Sequence, residues 1–326
     1  MRKTISVLCI LILLCSLMGC ASSQPLTKQV FLLDTIVTIS IYGSNKDVLD
    51  QTIALCQKYH NMFNKADPDS EIAKINNAAC APVEVSPETV EVISTALKYC
   101  QACNGVFDIT IGPLSDLWDF LSDNPVVPDA VTLAQAAKLV DYHCVEISGN
   151  TIRLTKPGAE LDLGGIAKGY IADRLTEFLL SKGVTRAIIN LGGNVVVLGE
   201  KANGVPWNVA IQAPFEASGT SSGIIKASNQ SVVTSGVYQR YFRVDNKLYH
   251  HILDPKTGYP TDSGLYSATI ISEKSVDGDA LSTICLALGA DKAVEFMKNY
   301  PDMKIVLITS DNNVISTAGD QFTESK

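Results

Sequence analysis

The stretch that decides most about this chain is Leu161-Asp162-Leu163-Gly164-Gly165-Ile166-Ala167-Lys168-Gly169. Apolar residues at 161 and 163 predict a short strand, two glycines end it, and residues 166–180 have helical spacing up to Gly183. Glycines let a ligand approach the backbone, and the free N–H groups of a helix start attract phosphate. The stretch therefore predicts a phosphate-binding turn with Lys168 beside it, or else a tight strand–helix turn with a solvated lysine.

Strand and helix signals are intermixed on both sides of this stretch. Apolar–polar alternation predicts a strand over 30–42, and helical spacing predicts helices over 46–64 and 87–103. Ser70 and Thr132 are expected to cap two shorter helices. The remaining predictions are a hairpin of 145–147 with 151–154, strands at 185–190, 195–198, 207–212, 231–234, 241–244, 267–271 and 304–309, and helices at 279–288 and 291–299. This mixture predicts an α+β fold with mixed or mostly antiparallel sheets flanked by helices, not a doubly wound parallel sheet.

A second candidate site lies in Asp277-Gly278-Asp279-Ala280-Leu281-Ser282-Thr283. Asp279 and Thr283 are four residues apart and therefore share one face of the predicted helix. A carboxylate and a hydroxyl are hard oxygen ligands of the kind that Mg²⁺ takes together with water and phosphate. The alternative is that one of the two aspartates only caps the helix.

Two further segments carry unusual polar residues. In the segment 105–113, Asp108 stands among apolar residues next to Phe107, where it would contact an aromatic ligand edge or cap a strand end. His250 and His251 precede the turn Asp254-Pro255-Lys256-Thr257-Gly258. A zinc site is disfavoured, because adjacent residues of a strand point to opposite faces.

The N-terminus resembles an export signal. Arg2 and Lys3 precede an apolar run over 5–17 that is too short to span a bilayer comfortably. The run ends at Leu17-Met18-Gly19-Cys20, which is similar to the cleavage box of bacterial lipoproteins, with Cys20 as the lipid acceptor; an ordinary signal peptide is the alternative. We expect a signal over 1–19, a tether over 20–28, one domain over 29–320, and a lipid anchor on the outer face of the cytoplasmic membrane.

Charge and cysteine content narrow the function classes. The formal net charge is -8, so nucleic acid is not an expected partner, and an anionic ligand needs a local site. Outside the signal, Cys100 and Cys103 form the one closely spaced pair of cysteines. They end a predicted helix and have no second pair at zinc-site spacing, so they are expected to be structural thiols or one local disulfide.

Together these segments resemble the ApbE family, the FAD:protein FMN transferases, in order and spacing across most of residues 30–320. The matching segments are Leu33-Asp34-Thr35, Asp69-Ser70-Glu71-Ile72, Gly105-Val106-Phe107-Asp108, residues 161–169, Asn190-Leu191-Gly192-Gly193-Asn194, residues 251–260 and Asp279-Ala280-Leu281-Ser282-Thr283. The resemblance implies a T-fold-like architecture, and it agrees with export because family members are commonly lipoproteins.

The resemblance also implies a reaction and its residues. FAD would be cleaved at its pyrophosphate, FMN transferred to a threonine hydroxyl of an exported target protein, and AMP released. The implied magnesium ligands are Asp279, Thr283 and the backbone carbonyl of Gly165. The implied FAD contacts are Leu33, Val106, Phe107, Asp108, Asp162, Lys168 and Ile252. Asp279 and Lys168 are expected to act in catalysis, with His251 as a candidate base for the threonine proton.

Two other functions are compatible with the same residues. A hydrolase would use water as the acceptor and split FAD into FMN and AMP at the same site. A non-catalytic flavin-binding lipoprotein would bind FAD without needing a metal. Product analysis with and without a target protein separates the three.

Overall fold

The protein is described here from a computed structural model, which covers residues 24–325 except 121, 123 and 218. Its centre is an eight-stranded sheet in which every neighbouring pair of strands is antiparallel. In spatial order its strands are β1 (Leu26–Leu32), β2 (Thr35–Ile41), β6 (Ala187–Leu191), β7 (Asn194–Leu198), β10 (Gln230–Gly236), β13 (Leu265–Ser272), β14 (Lys304–Thr309) and β15 (Val314–Ser316). The predicted α+β class with mostly antiparallel sheets is confirmed.

Three small sheets surround the main one. They are β3 (Val83–Glu84) with β5 (Thr151–Leu154) and β4 (Val145–Ser148); β8 (Trp207–Gln212) with β9 (Ser221–Ala227) and β16 (Phe322–Glu324); and the hairpin of β11 (Tyr241–Val244) with β12 (Lys247–His250). The helices are α1 (Lys46–Phe63), α2 (Glu71–Asn76), α3 (Pro87–Ala102), α4 (Gly112–Ser115), α5 (Ala130–Ala137), α6 (Ala167–Ser181), α7 (Ser275–Leu288) and α8 (Ala290–Met297).

The main sheet is covered on both faces over its central strands. On one face α1, α6 and α7 enclose the larger core, in which Ile39, Leu175 and Leu281 are fully buried. On the other face the β8–β9 hairpin packs against β7, β10, β13 and β14 around Trp207 and Ile225. Burial on both faces explains why β13 is buried at seven of its eight positions.

Side chains at the helix starts account for several boundaries. Ser70 accepts a hydrogen bond from the Ala73 N–H and caps α2, as predicted. The prediction that Thr132 caps a helix is wrong. Asp129 occupies the cap position, and its carboxylate accepts from the N–H groups of Val131 and Thr132, so α5 begins three residues earlier.

The single strand predicted over 30–42 is a hairpin. Its strands β1 and β2 are joined by Leu33 and Asp34, which have φ of 56° and 53°. Two successive left-handed residues form the tight turn that suits hairpins, but this turn normally has Asn or Gly. The alternation of apolar and polar residues therefore runs through the turn, and no typical turn residue marks where β1 ends and β2 begins. Since β1 begins at Leu26 and β16 ends at Glu324, the folded region extends beyond the predicted bounds of 29 and 320 at both ends.

Two boundaries near the glycine-rich stretch also differ. Residues 161–163 are extended but do not form a strand; the Asp162 N–H donates to the Ile109 carbonyl at 2.8 Å. Helix α7 begins at Ser275, four residues before the predicted start, because Asp173 accepts hydrogen bonds from the N–H groups of Ser275 and Val276. This cap comes from a distant segment and has no local signal.

Cys100 and Cys103 are free and buried, so they are structural thiols and the disulfide alternative is wrong. The Phe107 N–H donates to Cys103 Sγ at 3.2 Å, which fixes the loop after α3. Burial raises the pKa of both thiols. Cys20 and the predicted signal lie outside the described residues. Within the residues described, none of the helices combines the length and the hydropathy needed to cross a membrane.

Candidate active site

The site is built around the turn Gly164–Gly165. Asn76 holds the entering chain on both sides of Leu161: its Nδ2 donates to the Leu161 carbonyl and its Oδ1 accepts from the Leu161 N–H, at 3.0 and 2.7 Å. A Cβ added to Gly165 would lie 2.8 Å from the ring of Phe107 and 3.6 Å from Thr283 Oγ1. A side chain at this position would collide with Phe107, so the residue is glycine. Its backbone can therefore lie close to Thr283, one of the predicted metal ligands.

Helices α6 and α7 cross closely next to this turn. A Cβ on Gly169 would lie 2.4 Å from the Ser275 carbonyl oxygen and 2.7 Å from the Asp279 Cβ. The close approach lets the Gly169 N–H donate to Asp279 Oδ2 at 2.8 Å. Asp279 is 3% exposed, so an amide at the start of α6 stabilises a buried carboxylate on α7.

Lys168 lies beside the second oxygen of that carboxylate, and Thr283 lies one helical turn after Asp279. Lys168 Nζ is 3.8 Å from Asp279 Oδ1 and donates to the Gly164 carbonyl at 3.2 Å. Thr283 Oγ1 lies 3.3 Å from the Asp279 carbonyl oxygen and 3.2 Å from Ser235 Oγ. The structure therefore brings together residues that are more than a hundred positions apart in the chain.

This arrangement fits a small hard cation. Asp279 is buried and its Oδ1 lies 3.8 Å from Lys168 Nζ, beyond hydrogen-bond distance, while the Thr283 hydroxyl lies near the Asp279 backbone carbonyl and Gly165. The described residues contain no cluster of three or more His, Cys, Asp or Glu side chains suited to a metal. The position thus offers one carboxylate, one hydroxyl and main-chain oxygen, a sparse set that suits Mg²⁺ completed by water and phosphate more than zinc.

The two adjacent histidines have different surroundings. His250 is buried; its Nε2 lies 3.0 Å from the Thr261 carbonyl, and its Nδ1 accepts from the Ile252 N–H. Burial lowers the pKa of His250 to about 4. His251 points elsewhere, with Nδ1 3.3 Å from the Arg240 carbonyl. The two imidazoles therefore have separate hydrogen-bond partners.

Desolvation, then the charge of Arg240, lowers the pKa of His251 to about 3, and Lys168 contributes in the same direction. His251 is thus a neutral imidazole at physiological pH and lies in reach of the charge of Lys168. With Nδ1–H directed at the Arg240 carbonyl, Nε2 is the nitrogen that would accept a proton. Its role as a base stays a prediction.

Arg240 connects this region to the hairpin tip. Its guanidinium donates to the Asp34 carbonyl at 3.3 Å, and the neighbouring Leu33 N–H donates to His60 Nδ1 at 3.3 Å. Leu33 is thereby held next to the site rather than in a regular strand. Arg240 was not predicted, and a single arginine in the loop between β10 and β11 gives no signal that could have identified it.

The other predicted contacts have structural partners of their own. Asp108 accepts from the Thr110 N–H and hydroxyl and from the Tyr142 N–H, and burial raises its pKa despite these bonds. Val106 packs on the main core, and Ile252 is 9% exposed. Their contacts with FAD stay predictions, whereas the ring of Phe107 is placed against Gly165.

Asp162 is accompanied by a residue that sequence reasoning missed. Its Oδ1 accepts from the Gly164 N–H at 2.8 Å, and its Oδ2 lies 3.2 Å from Lys65 Nζ. Burial alone would raise the pKa of Asp162, but the charge of Lys65 and hydrogen bonds from Gly164 and Ser115 keep it below the usual range. Lys65 follows helix α1 in a polar turn, where a lysine is ordinary.

Proteins with a glycine turn, a helix start and a lysine at one place on an antiparallel α+β scaffold form a class suited to binding an anionic, phosphate-bearing ligand. Within this class the chain belongs to the ApbE family, whose sequence profile matches residues 33–307.

Individual relatives and solved structures agree with this assignment. The chain is 36% identical over 287 residues to an FAD:protein FMN transferase of Klebsiella pneumoniae (strain 342), covering 87% of this chain and 89% of that protein. It is 30% identical to one of Treponema pallidum (strain Nichols), with coverages of 95% and 92%. The crystal structure of the ApbE protein of Thermotoga maritima superposes with a TM-score of 0.82 at 31% identity, covering 90% of this chain and 96% of that one. The flavin transferase ApbE of Vibrio cholerae gives a TM-score of 0.80 at 25% identity, with coverages of 92% and 98%.

Proposed function

We propose that this protein is an FAD:protein FMN transferase that moves FMN from FAD to a threonine hydroxyl of an exported target protein and releases AMP. The observation that carries the proposal is the convergence of Lys168, Asp279 and the Gly164–Gly165 turn at one helix crossing. Relatives that span most of the chain bear the name of this activity.

The reaction exchanges the phosphoanhydride bond of FAD for a phosphoester bond to threonine. The threonine oxygen attacks the phosphorus of the FMN half, the bond from that phosphorus to the bridging oxygen breaks, and AMP leaves with the electron pair. In such transfers the protein mainly positions the reactants and neutralises the charge on the phosphate oxygens. At the turn, the ammonium of Lys168 and the N–H groups at the start of α6 would neutralise the negative charge of these oxygens.

Asp279, Thr283 and the Gly165 carbonyl would hold Mg²⁺, which when bound would neutralise pyrophosphate oxygens. His251 would accept the threonine proton on Nε2. Its pKa is lowered in part by the charges of Arg240 and Lys168. A bound pyrophosphate would offset both charges and so make this imidazole more basic.

The remaining part of FAD would contact residues around the turn. They are Leu33 at the hairpin tip, Val106, Phe107 and Asp108 in the loop after α3, Asp162 before the turn, and Ile252 after the histidines. Phe107 would act through its position against Gly165, which joins the flavin-contacting loop to the cation site.

The test is an acceptor-dependent transfer assay. The mature protein, FAD and Mg²⁺ are incubated with an exported acceptor protein, and covalent flavin fluorescence is measured on a denaturing gel together with AMP release. Labelled acceptor and stoichiometric AMP support the transferase. Equal FMN and AMP without labelled acceptor identify a hydrolase, and metal-independent FAD binding without products identifies a binding protein.

We also propose that the protein is exported and anchored to the outer face of the cytoplasmic membrane through a lipid on Cys20. Support comes from the basic and apolar segment ending in Leu17-Met18-Gly19-Cys20. C20S is expected to abolish incorporation of labelled fatty acid. C15S, in the same segment, is the control, and fatty-acid labelling of C20S equal to the parent would contradict the assignment.

A further inference from the structure

Lys65 lies in the turn after α1 and reaches across to two other segments. Its ammonium lies 2.5 Å from Asp116 Oδ1, 2.7 Å from Ser115 Oγ and 3.2 Å from Asp162 Oδ2. The side chain is only 21% exposed. An ammonium with three polar partners in a half-buried position is held in one place, unlike a solvated surface lysine.

Asp162 transmits this contact to the glycine turn. Ser115 Oγ donates to Asp162 Oδ2 at 2.7 Å, on the side that faces Lys65. The other oxygen, Oδ1, accepts from the Gly164 N–H at 2.8 Å. Lys65 and Ser115 therefore fix the carboxylate on one side, and the carboxylate fixes the turn on the other.

The charges around Lys65 make its presence necessary. Asp116, Asp162 and Glu160 all surround this position, and burial followed by a hydrogen bond with Asp116 raises the pKa of Glu160. Without the ammonium, neighbouring carboxyl groups would repel each other, so that one must take up a proton or move away. A rotated Asp162 would release the Gly164 N–H.

We propose that Lys65 is a positioning residue of the nucleotide site, which orients Asp162 so that it holds the Gly164–Gly165 turn. The turn carries the Gly164 carbonyl that binds Lys168 at 3.2 Å, and the Gly165 backbone beside Thr283. The proposal deepens the proposed function and rests on it for the identity of the nucleotide, but the position of the turn can be tested without any ligand.

The first experiment measures amide hydrogen exchange of Gly164 by NMR on the full mature chain labelled with ¹⁵N-glycine. K65M is expected to raise the exchange rate at Gly164 at least about tenfold, because the N–H loses its oriented acceptor. K65R keeps the charge and is expected to restore most of the protection. The Gly193 amide, which donates to Asn190 at 3.2 Å, is the internal reference.

A matched control is K58M, which makes the same change seven residues earlier. Lys58 pairs with Glu88 at 3.0 Å and is 51% exposed, away from the turn. In K58M the exchange rate of the Gly164 amide is expected to equal that of the parent. A variant that also removes the charge of the partner, K65M combined with D162N, guards against misfolding because the Asp162 side chain no longer carries a charge that needs the ammonium. K65M is expected to add little exchange to D162N alone.

The second experiment measures FAD affinity and saturating transfer separately. K65M is expected to weaken FAD binding about tenfold and K65R to recover it, whereas turnover at saturation falls less, since Lys65 acts through Asp162. Gly164 exchange in K65M equal to the parent, or K65R no better than K65M, would overturn the proposal. If the parent itself binds no FAD, the proposed function fails while the exchange result still decides the role of Lys65.

Discussion

Asp279 uses its two carboxylate oxygens for different purposes. Oδ2 accepts the Gly169 N–H at 2.8 Å and anchors helix α6, whereas Oδ1 faces Lys168 at 3.8 Å. An asparagine in this place would still accept the Gly169 N–H but would lose the charge. One substitution can therefore test the proposed role of Asp279 in holding Mg²⁺ while the contact that supports the fold is kept.

D279N is expected to lower Mg²⁺-dependent FMN transfer by about 100-fold or more, about 2.7 kcal/mol, because a site with a single carboxylate loses it. Transfer rates are measured over a range of Mg²⁺ concentrations. The control is D277N on the same helix, where the Tyr99 hydroxyl donates to Asp277 at 2.6 Å, and its rate should match the parent. Full activity of the parent in excess chelator would show that the reaction does not need a metal.

Lys168 is 28% exposed on its side chain and donates to the Gly164 carbonyl, so it has freedom to turn toward a bound phosphate. K168M is expected to lower saturating turnover by about tenfold or more, about 1.4 kcal/mol, because charge on the breaking pyrophosphate is no longer neutralised. K182M, after the end of the same helix, is the control. Parent-like kinetics in a folded K168M would place the phosphate elsewhere.

Among the elements, the crossing of α6 and α7 sets the geometry of the site. The two helices meet at Gly169, and the same face of α7 carries Asp279 and Thr283 toward the turn. Because the contact is backbone to backbone, no side chain can adjust to a change in spacing.

G169A should therefore destabilise the fold by about 1–3 kcal/mol through overpacking and should also displace Asp279. Urea denaturation gives the free energy of unfolding, and Mg²⁺ titration of the transfer rate reports the site. L180A, which truncates a 50% exposed leucine on the same helix, is the comparison and should change stability little. If G169A is less stable but its transfer rate depends on Mg²⁺ as in the parent, the helix crossing does not control the position of Asp279.

The β1–β2 hairpin is the second element on which the site depends. Its tip has two left-handed residues, and the Asp34 carbonyl there binds Arg240, whose own carbonyl faces His251. The hairpin turn thus joins the edge of the main sheet to the candidate base. This connection explains how Leu33 comes to lie near residues that are more than two hundred positions away.

At the scale of the whole molecule, the free energy of unfolding depends on pH because His250 is buried in its neutral form. Burial lowers the pKa of His250 from 6.5 to about 4. Below pH 6.5 the unfolded chain takes up this proton while the folded chain does not, so the free energy of unfolding falls as the pH decreases from 6.5 toward 4. His251, with a pKa lowered to about 3, acts in the same direction.

H250Q keeps a donor for the Thr261 carbonyl but cannot be protonated. Between pH 7 and 4 it is expected to lose about 3 kcal/mol less stability than the parent, because burial lowers the pKa of His250 from 6.5 to about 4. Urea denaturation at several pH values gives the slopes. H143Q, at a 73% exposed side chain, is the control. A slope for H250Q equal to that of the parent would contradict the assignment.

Local sequence determined the class of the fold and most of its elements. The strands Trp207–Gln212, Tyr241–Val244 and Lys304–Thr309 have the predicted bounds, because apolar alternation and β-branched residues act within the strand itself. The Gly164–Gly165 turn was also recognisable, since a backbone that must approach another chain segment excludes every side chain.

Only the tertiary structure decided what surrounds that turn. Lys65, Ser115 and Arg240 come from segments without a distinguishing pattern, and their side chains meet Asp162 and Asp34 across long sequence separations. The same is true of the start of α7, which Asp173 fixes from another helix. Sequence periodicity records which face of an element is buried, whereas ion pairs between elements depend on how those elements pack, and no local pattern encodes that packing.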